Sequence, residues 1–109
     1  MCNRTPPGPA AQKWRAFHSA ELPYMFGTFE AAPERGFTAA DRAFSDQIAA
    51  YWVNFVKTGD PNGAGLPSWP SWQAERPAVM ELGDPIAAKP LLSPEKLSTL
   101  KAHLARSAP

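Results

Sequence analysis

Proline takes 13 of the 109 positions in this chain, about 12 per cent against roughly 5 per cent in average proteins. Its ring locks φ and removes the backbone N–H, which excludes it from helix interiors and central strands. Regular structure is therefore confined to the intervals between prolines. The longest interval free of both proline and glycine runs from Phe37 to Thr58.

Within that interval Thr38-Ala39-Ala40-Asp41 has the form of a capping box, with aspartate where glutamate is the better partner. Ala40, Phe44, Ile48, Tyr51, Trp52, Phe55 and Val56 step by three or four, while Asp41, Arg42, Asp46 and Gln47 fall at other angles. Lys57, Gly59 and Pro61 then supply a basic last turn, a left-handed cap and a stop. This pattern predicts one long amphipathic helix. Burying Phe44, Ile48, Tyr51, Trp52 and Phe55 at about 2 kcal/mol each would rival the whole stability of an ordinary domain. The chain offers little sheet to cover that face. We therefore expect its covering layer to come from a missing upstream chain or from self-association through Phe44, Ile48, Tyr51, Trp52 and Phe55.

The flanking segments carry weaker signals. Residues 1–13, with Pro6-Pro7-Gly8-Pro9, read as an extended, solvent-facing lead-in. The run Trp14 to Gly27 places His18 among Trp14, Phe17, Tyr24 and Phe26, with Glu21 three residues on. An imidazole in such a setting is either a core histidine with its hydrogen bonds satisfied or a base held ready for proton transfer. Ser19 can cap a short helical turn ending near Gly27, with Glu21 as a first-turn acid favoured by the helix dipole. Residues 28–37 read as a loop.

After the long helix, Gly59-Asp60-Pro61-Asn62-Gly63 has the composition of a metal or phosphate loop. It lacks the P-loop lysine and the calcium-ligand spacing, and we read it as structural. Trp69, between Pro67 and Pro70, and Trp72 just after them suit a clamp onto a neighbouring surface better than a sugar or proline-rich ligand site. Pro77 to Asp84 is the one strand-like run, an edge strand or ribbon. Ser93 and Pro94 open a last helix with Leu97, Leu100 and Leu104 on one narrow face, and His103 reads as a solvated surface histidine.

A formal net charge of +1, with 11 basic and 10 acidic side chains, gives no footprint for nucleic acid and no polybasic arm for a membrane. No apolar run approaches the roughly 18 residues of a membrane helix, and the first residues lack a signal peptide's apolar centre. Cys2, alone, supports neither an internal disulfide nor a zinc site. A reducing cytoplasm is the expected compartment, and no cofactor or metal is implied.

The run Phe17-His18-Ser19-Ala20-Glu21-Leu22-Pro23-Tyr24-Met25-Phe26-Gly27 resembles the segment that carries the catalytic histidine in type-B carboxylesterases. That family includes bacterial para-nitrobenzyl esterases and the cholinesterases. Tyr51 to Gly63 with Leu66-Pro67-Ser68-Trp69-Pro70 resembles the same family downstream of that histidine. The resemblance implies an α/β-hydrolase of which residues 14–106 form an incomplete C-terminal part, with 107–109 a tail. The isolated chain should then be mostly α-helix and loop with one short β-strand or ribbon. It further implies that His18 is the general base, that Glu21 matches a buried glutamate beside it, and that a small carboxylic ester is the substrate of the complete enzyme. Arg15 stands where relatives commonly have glycine. No Gly-x-Ser-x-Gly, oxyanion-hole glycine run or acid segment occurs within these residues, so the isolated chain is expected to be inactive. The competing expectation is a non-catalytic interaction module, or a remnant, docking through its aromatic helix face.

Overall fold

The computed structural model describes residues 2–107. In chain order it contains α1 (Pro9–Trp14), α2 (Leu22–Phe26), two 3₁₀ turns (Phe29–Ala31 and Pro33–Arg35), α3 (Ala39–Thr58), β1 (Ala78–Glu81), β2 (Ala87–Pro90) and α4 (Pro94–Ser107). The expected tail at 107–109 lies outside the described residues except for Ser107, which ends α4.

The long helix forms where the capping signals put it. Thr38 Oγ1 accepts from the Asp41 N–H at 3.3 Å, and Asp41 Oδ2 accepts from the Thr38 N–H at 2.8 Å, so both arms of the box are closed. At the other end Gly59 takes φ 78° and its N–H returns to the Phe55 carbonyl at 2.8 Å. Aspartate serves here because its other oxygen is engaged elsewhere: Asp41 Oδ1 accepts from Arg4 Nε at 3.0 Å, a second Arg4 nitrogen at 2.9 Å and Tyr24 Oη at 3.0 Å.

One core lies around α3. Tyr24 from α2, Phe29, Phe44, Ile48 and Tyr51 from α3, and Met80 and Ile86 from the hairpin are all buried. The Tyr24 ring stands edge-on to Phe29, Phe37 and Phe44, with centroids 5.9, 5.8 and 5.2 Å away. Such edge-to-face pairs add about 0.5–1.5 kcal/mol each beyond their buried area. Tyr24 is held again through its carbonyl, which accepts from Ser45 Oγ, so α2 is pinned to α3 at two points.

Several expectations are corrected. The lead-in is neither free nor wholly extended. Asn3 N–H donates to the Leu82 carbonyl at 3.0 Å, Pro6 is buried, and residues 9–14 are helical, with Pro9 at a helix start where its missing N–H costs nothing. The expected ribbon gains a second strand. β2 pairs antiparallel with β1 in the register Ala78↔Pro90 to Glu81↔Ala87, and its Ala-Ala-Lys-Pro sequence carries no β-branched or aromatic signal. Short helical content and this hairpin agree with an α/β-hydrolase fragment that is mostly helix and loop.

The aromatic stripe of α3 is split. Phe44, Ile48 and Tyr51 are buried within the chain, but Trp52, Phe55 and Val56 are 49, 52 and 80 % exposed. The hairpin and α2 cover only part of the helix circumference. Of the residues expected to self-associate, only Trp52 and Phe55 therefore remain available. Phe55→Ala is expected to change the unfolding free energy of this chain by no more than about 0.5 kcal/mol, as for other exposed positions. A larger fall in the denaturant midpoint would show that something already covers the ring.

Candidate functional site

His18 sits on the turn 18–21 between α1 and α2. The backbone around it is unusual: Arg15 takes φ 50°, ψ −130°, and Ser19 takes φ 69°. Positive φ is disfavoured for residues carrying a Cβ. The turn is closed by Phe17 N–H to the Arg15 carbonyl at 3.1 Å and Ala20 N–H to the Phe17 carbonyl at 3.0 Å. Ser19 does not cap α2. Glu21 occupies the cap position with φ −76°, ψ −21°, and its side chain makes no capping bond. The serine's left-handed backbone turns the chain after His18, and that role displaces capping.

The Arg15 geometry is one that glycine adopts without penalty, whereas other residues are strained there by about 1–3 kcal/mol. Arg15→Gly is expected to stabilise the fold by about 1 kcal/mol, after allowing for glycine's greater freedom in the unfolded chain. The check is the urea midpoint, which should rise. A fall would mean that the arginine side chain contributes more than its backbone costs.

His18 is exposed rather than wedged among aromatics. Tyr24 is fully buried in the core, and Trp14 and Phe26 are exposed. Of the four expected aromatic neighbours only Phe17 shares a cavity with the imidazole. That cavity, of about 420 Å³, is lined by His18, Glu21, Phe17, Met25, Ile48 and Trp52, with Cys2, Ala16 and Leu82 completing the wall. Trp52, placed on the α3 stripe by spacing alone, is thus also a neighbour of His18. Glu21 is half-buried and makes no hydrogen bond to His18 among the described residues. Burial pushes the Cys2 thiol up, leaving it a poor nucleophile at neutral pH.

Tyr24 of α2, the helix that follows the His18 turn, is tied to the start of α3 through a charge cluster centred on Asp41. Burial raises the Asp41 carboxyl, but the hydrogen bonds from Thr38, Arg4 and Tyr24 outweigh it and hold the group below the usual carboxylate range. Burial, and then the Asp41 charge, push the Tyr24 hydroxyl up to about 12. Arg4 also pairs with Asp84, and its guanidinium lies 4.8 Å from the Phe44 ring centroid. A proton thus stays on Tyr24 and a charge on Asp41, which keeps α2, and the turn leading into it, locked to the start of α3. The capping box was the available signal for Asp41. No local signal marked Arg4, whose partner lies 37 positions away.

The sequence profile of the carboxylesterase family matches residues 1–100. This chain belongs to that family. Human cocaine esterase is 39 % identical over 61 residues, which cover 56 % of this chain and 11 % of the relative. Rat bile salt-activated lipase is 43 % identical over 65 residues, covering 59 % and 10 %. Among solved structures, a PNB esterase superposes with TM-score 0.65 at 29 % identity over 79 % of this chain and 17 % of its own. A thermophilic PNB esterase gives 0.64 at 30 % identity, covering 75 % and 17 %. The chain therefore spans about a tenth of the length of these curated carboxylesterase relatives, and its fold is that of a segment of an α/β-hydrolase. Among the described residues no helix is long and apolar enough to cross a membrane, and no group of three or more His, Cys, Asp or Glu is placed to hold a metal.

Proposed function

We propose that this chain is the C-terminal segment of a carboxylic-ester hydrolase and contributes His18 as the base of the catalytic triad. The observation that carries the reading is the presentation of His18. The imidazole is exposed at the edge of an apolar cavity of about 420 Å³, and no hydrogen bond among the described residues consumes it. A base must be free to reach the proton it removes. The carboxylesterase membership of the chain and the carboxylic esters implied by relatives named as an esterase and a lipase support the same reading.

In this reading a serine hydroxyl from outside these residues attacks the ester carbonyl while His18 takes its proton. His18 then returns that proton to the departing alcohol, and repeats the exchange with water as nucleophile to release the acid. Glu21, on the same cavity wall, sits beside His18 in the completed site. The apolar lining of the cavity excludes water from the transfer. The polypeptide that supplies the serine meets the surface formed by the cavity mouth and Trp52.

Because nucleophile and oxyanion donors are absent from these residues, the 109-residue chain is expected to show no saturable hydrolysis of a para-nitrophenyl ester. Saturable turnover that vanishes in His18→Ala would overturn the expectation of inactivity. Reading the coding DNA upstream of codon 1 tests the segment itself. An in-frame Gly-x-Ser-x-Gly supports a complete enzyme. An unrelated sequence favours the second reading, a docking module, for which the exposed Trp52, Phe55 and Val56 speak.

A further inference from the structure

The last helix, α4, is exposed on every side. From Pro94 to Arg106 only Leu97 is even half-buried. Close packing joins α2 to α3 and β1 to β2, but α4 to none of them. Its start is secured by Ser93, whose Oγ accepts from the Lys96 N–H at 3.4 Å and whose carbonyl accepts from the Leu97 N–H at 2.9 Å. The helix is 14 residues long, and at about that length a helix without tertiary packing is marginal in water. We propose that α4 docks on an anionic lipid surface, with its leucines in the interface and its lysines at the headgroups.

The placement of the side chains fits that surface. At about 100° per residue, Leu97, Leu100 and Leu104 fall within about 60° of one another, and Lys96 and Lys101 stand about 40° beyond either edge of that stripe. Glu95, the one acid of the helix, lies on the opposite side together with Arg106. Leu100 and Leu104 are 44 and 59 % exposed. Both lysines are exposed, and no ion pair among the described residues uses Lys96, Lys101 or Arg106. A lysine lays its apolar stem along such a stripe and carries its ammonium group outward, as on helices that lie in a membrane interface. The total charge of +1 conceals this arrangement, because the acidic side chains that balance α4 lie elsewhere in the chain.

The same pattern disfavours the other occupants of the face. A helix that packs into the core of its own domain presents an apolar stripe of about 100° or more, and this one is narrower. The spacing by three and four suits a seam between two helices, but a second copy would set lysine against lysine. In a parallel pair Lys96 of one copy faces Lys101 of the other, and in an antiparallel pair each lysine faces its own counterpart. The seam also falls short of the roughly three to four heptads that mark a coiled coil. The carboxylesterase profile ends at residue 100, inside this helix, so Lys101, Leu104 and Arg106 lie beyond the matched residues. An anionic bilayer supplies apolar depth for a narrow stripe and negative charge along both of its edges.

The test sediments the 109-residue chain with vesicles of phosphatidylcholine alone and with vesicles containing about one third phosphatidylserine. Partition onto the anionic vesicles is expected to be at least about tenfold stronger and to fall as salt is raised. Two double variants separate the contributions: Lys96→Gln with Lys101→Gln, and Leu100→Gln with Leu104→Gln. Each is expected to weaken partition about tenfold or more. Glutamine is a good helix former and all four positions are exposed, so the unfolding midpoint should not move. Equal partition onto neutral vesicles, unchanged partition in either double variant, or a concentration-dependent dimer that stays in solution with both kinds of vesicle would overturn the proposal. None of these outcomes bears on the role of His18, which takes no part in the binding.

Discussion

His18→Ala, made in a polypeptide that completes the carboxylesterase fold, is expected to lower kcat by about 10⁴- to 10⁶-fold with KM changed little. In the proposed role the residue takes a proton at a single atom, and no side chain lining its cavity replaces it. Cys2 is kept protonated by burial, and the proposed role of Glu21 is to stand beside the imidazole, not to replace it. Because His18 is exposed and makes no hydrogen bond among the described residues, the same substitution should leave the unfolding midpoint unchanged. The split between a large kinetic and a negligible stability effect is the diagnostic. A variant that keeps more than about one per cent of kcat would assign the base elsewhere.

Asp41→Ala is expected to be the most destabilising substitution at a polar position, at about 3–5 kcal/mol. It removes one arm of the α3 capping box and strips Arg4 and Tyr24 of their common acceptor. The Arg4 charge and the Tyr24 hydroxyl would then be left with little solvent access, which is the costly half of breaking a buried pair. Asp41→Asn retains one of the two acceptor oxygens and should cost less. Denaturant unfolding of both variants distinguishes the effects, and equal losses would mean that the retained amide oxygen contributes nothing and the charge carries the whole effect.

The pH dependence follows from the same cluster. Asp41 is held below its unfolded value, so its contribution is present above the ordinary carboxylate range and is lost as pH falls through the folded value. Tyr24 is raised from 10.0 to about 12, so its contribution is whole below pH 10 and is lost as pH rises towards about 12. The alkaline loss should shrink in Asp41→Asn, since the neighbouring negative charge is one of its causes. If the alkaline limb is identical in the two proteins, burial alone sets the tyrosine.

The sequence by itself determined whatever depends on neighbours within about one helical turn. The capping box at Thr38 and Asp41, the glycine stop at Gly59, the cap at Ser93 and the turn chemistry around Pro61 are local devices, and each lies where the residues indicated. The histidine segment was legible for a different reason: the order of residues around His18 and Tyr51 carries the family. Tertiary structure decided the rest. Spacing marks which side of α3 is apolar, but only the reach of α2 and the hairpin determines that Tyr51 is buried while Trp52 and Phe55 face outward. Arg4 looked like part of a tail until its partners at Asp41 and Asp84 came within reach. Arg15 and Ser19, between α1 and α2, take backbone angles that their own propensities oppose. Local free energies are written in adjacent residues, whereas burial and ion pairing depend on which distant surface arrives to remove the water.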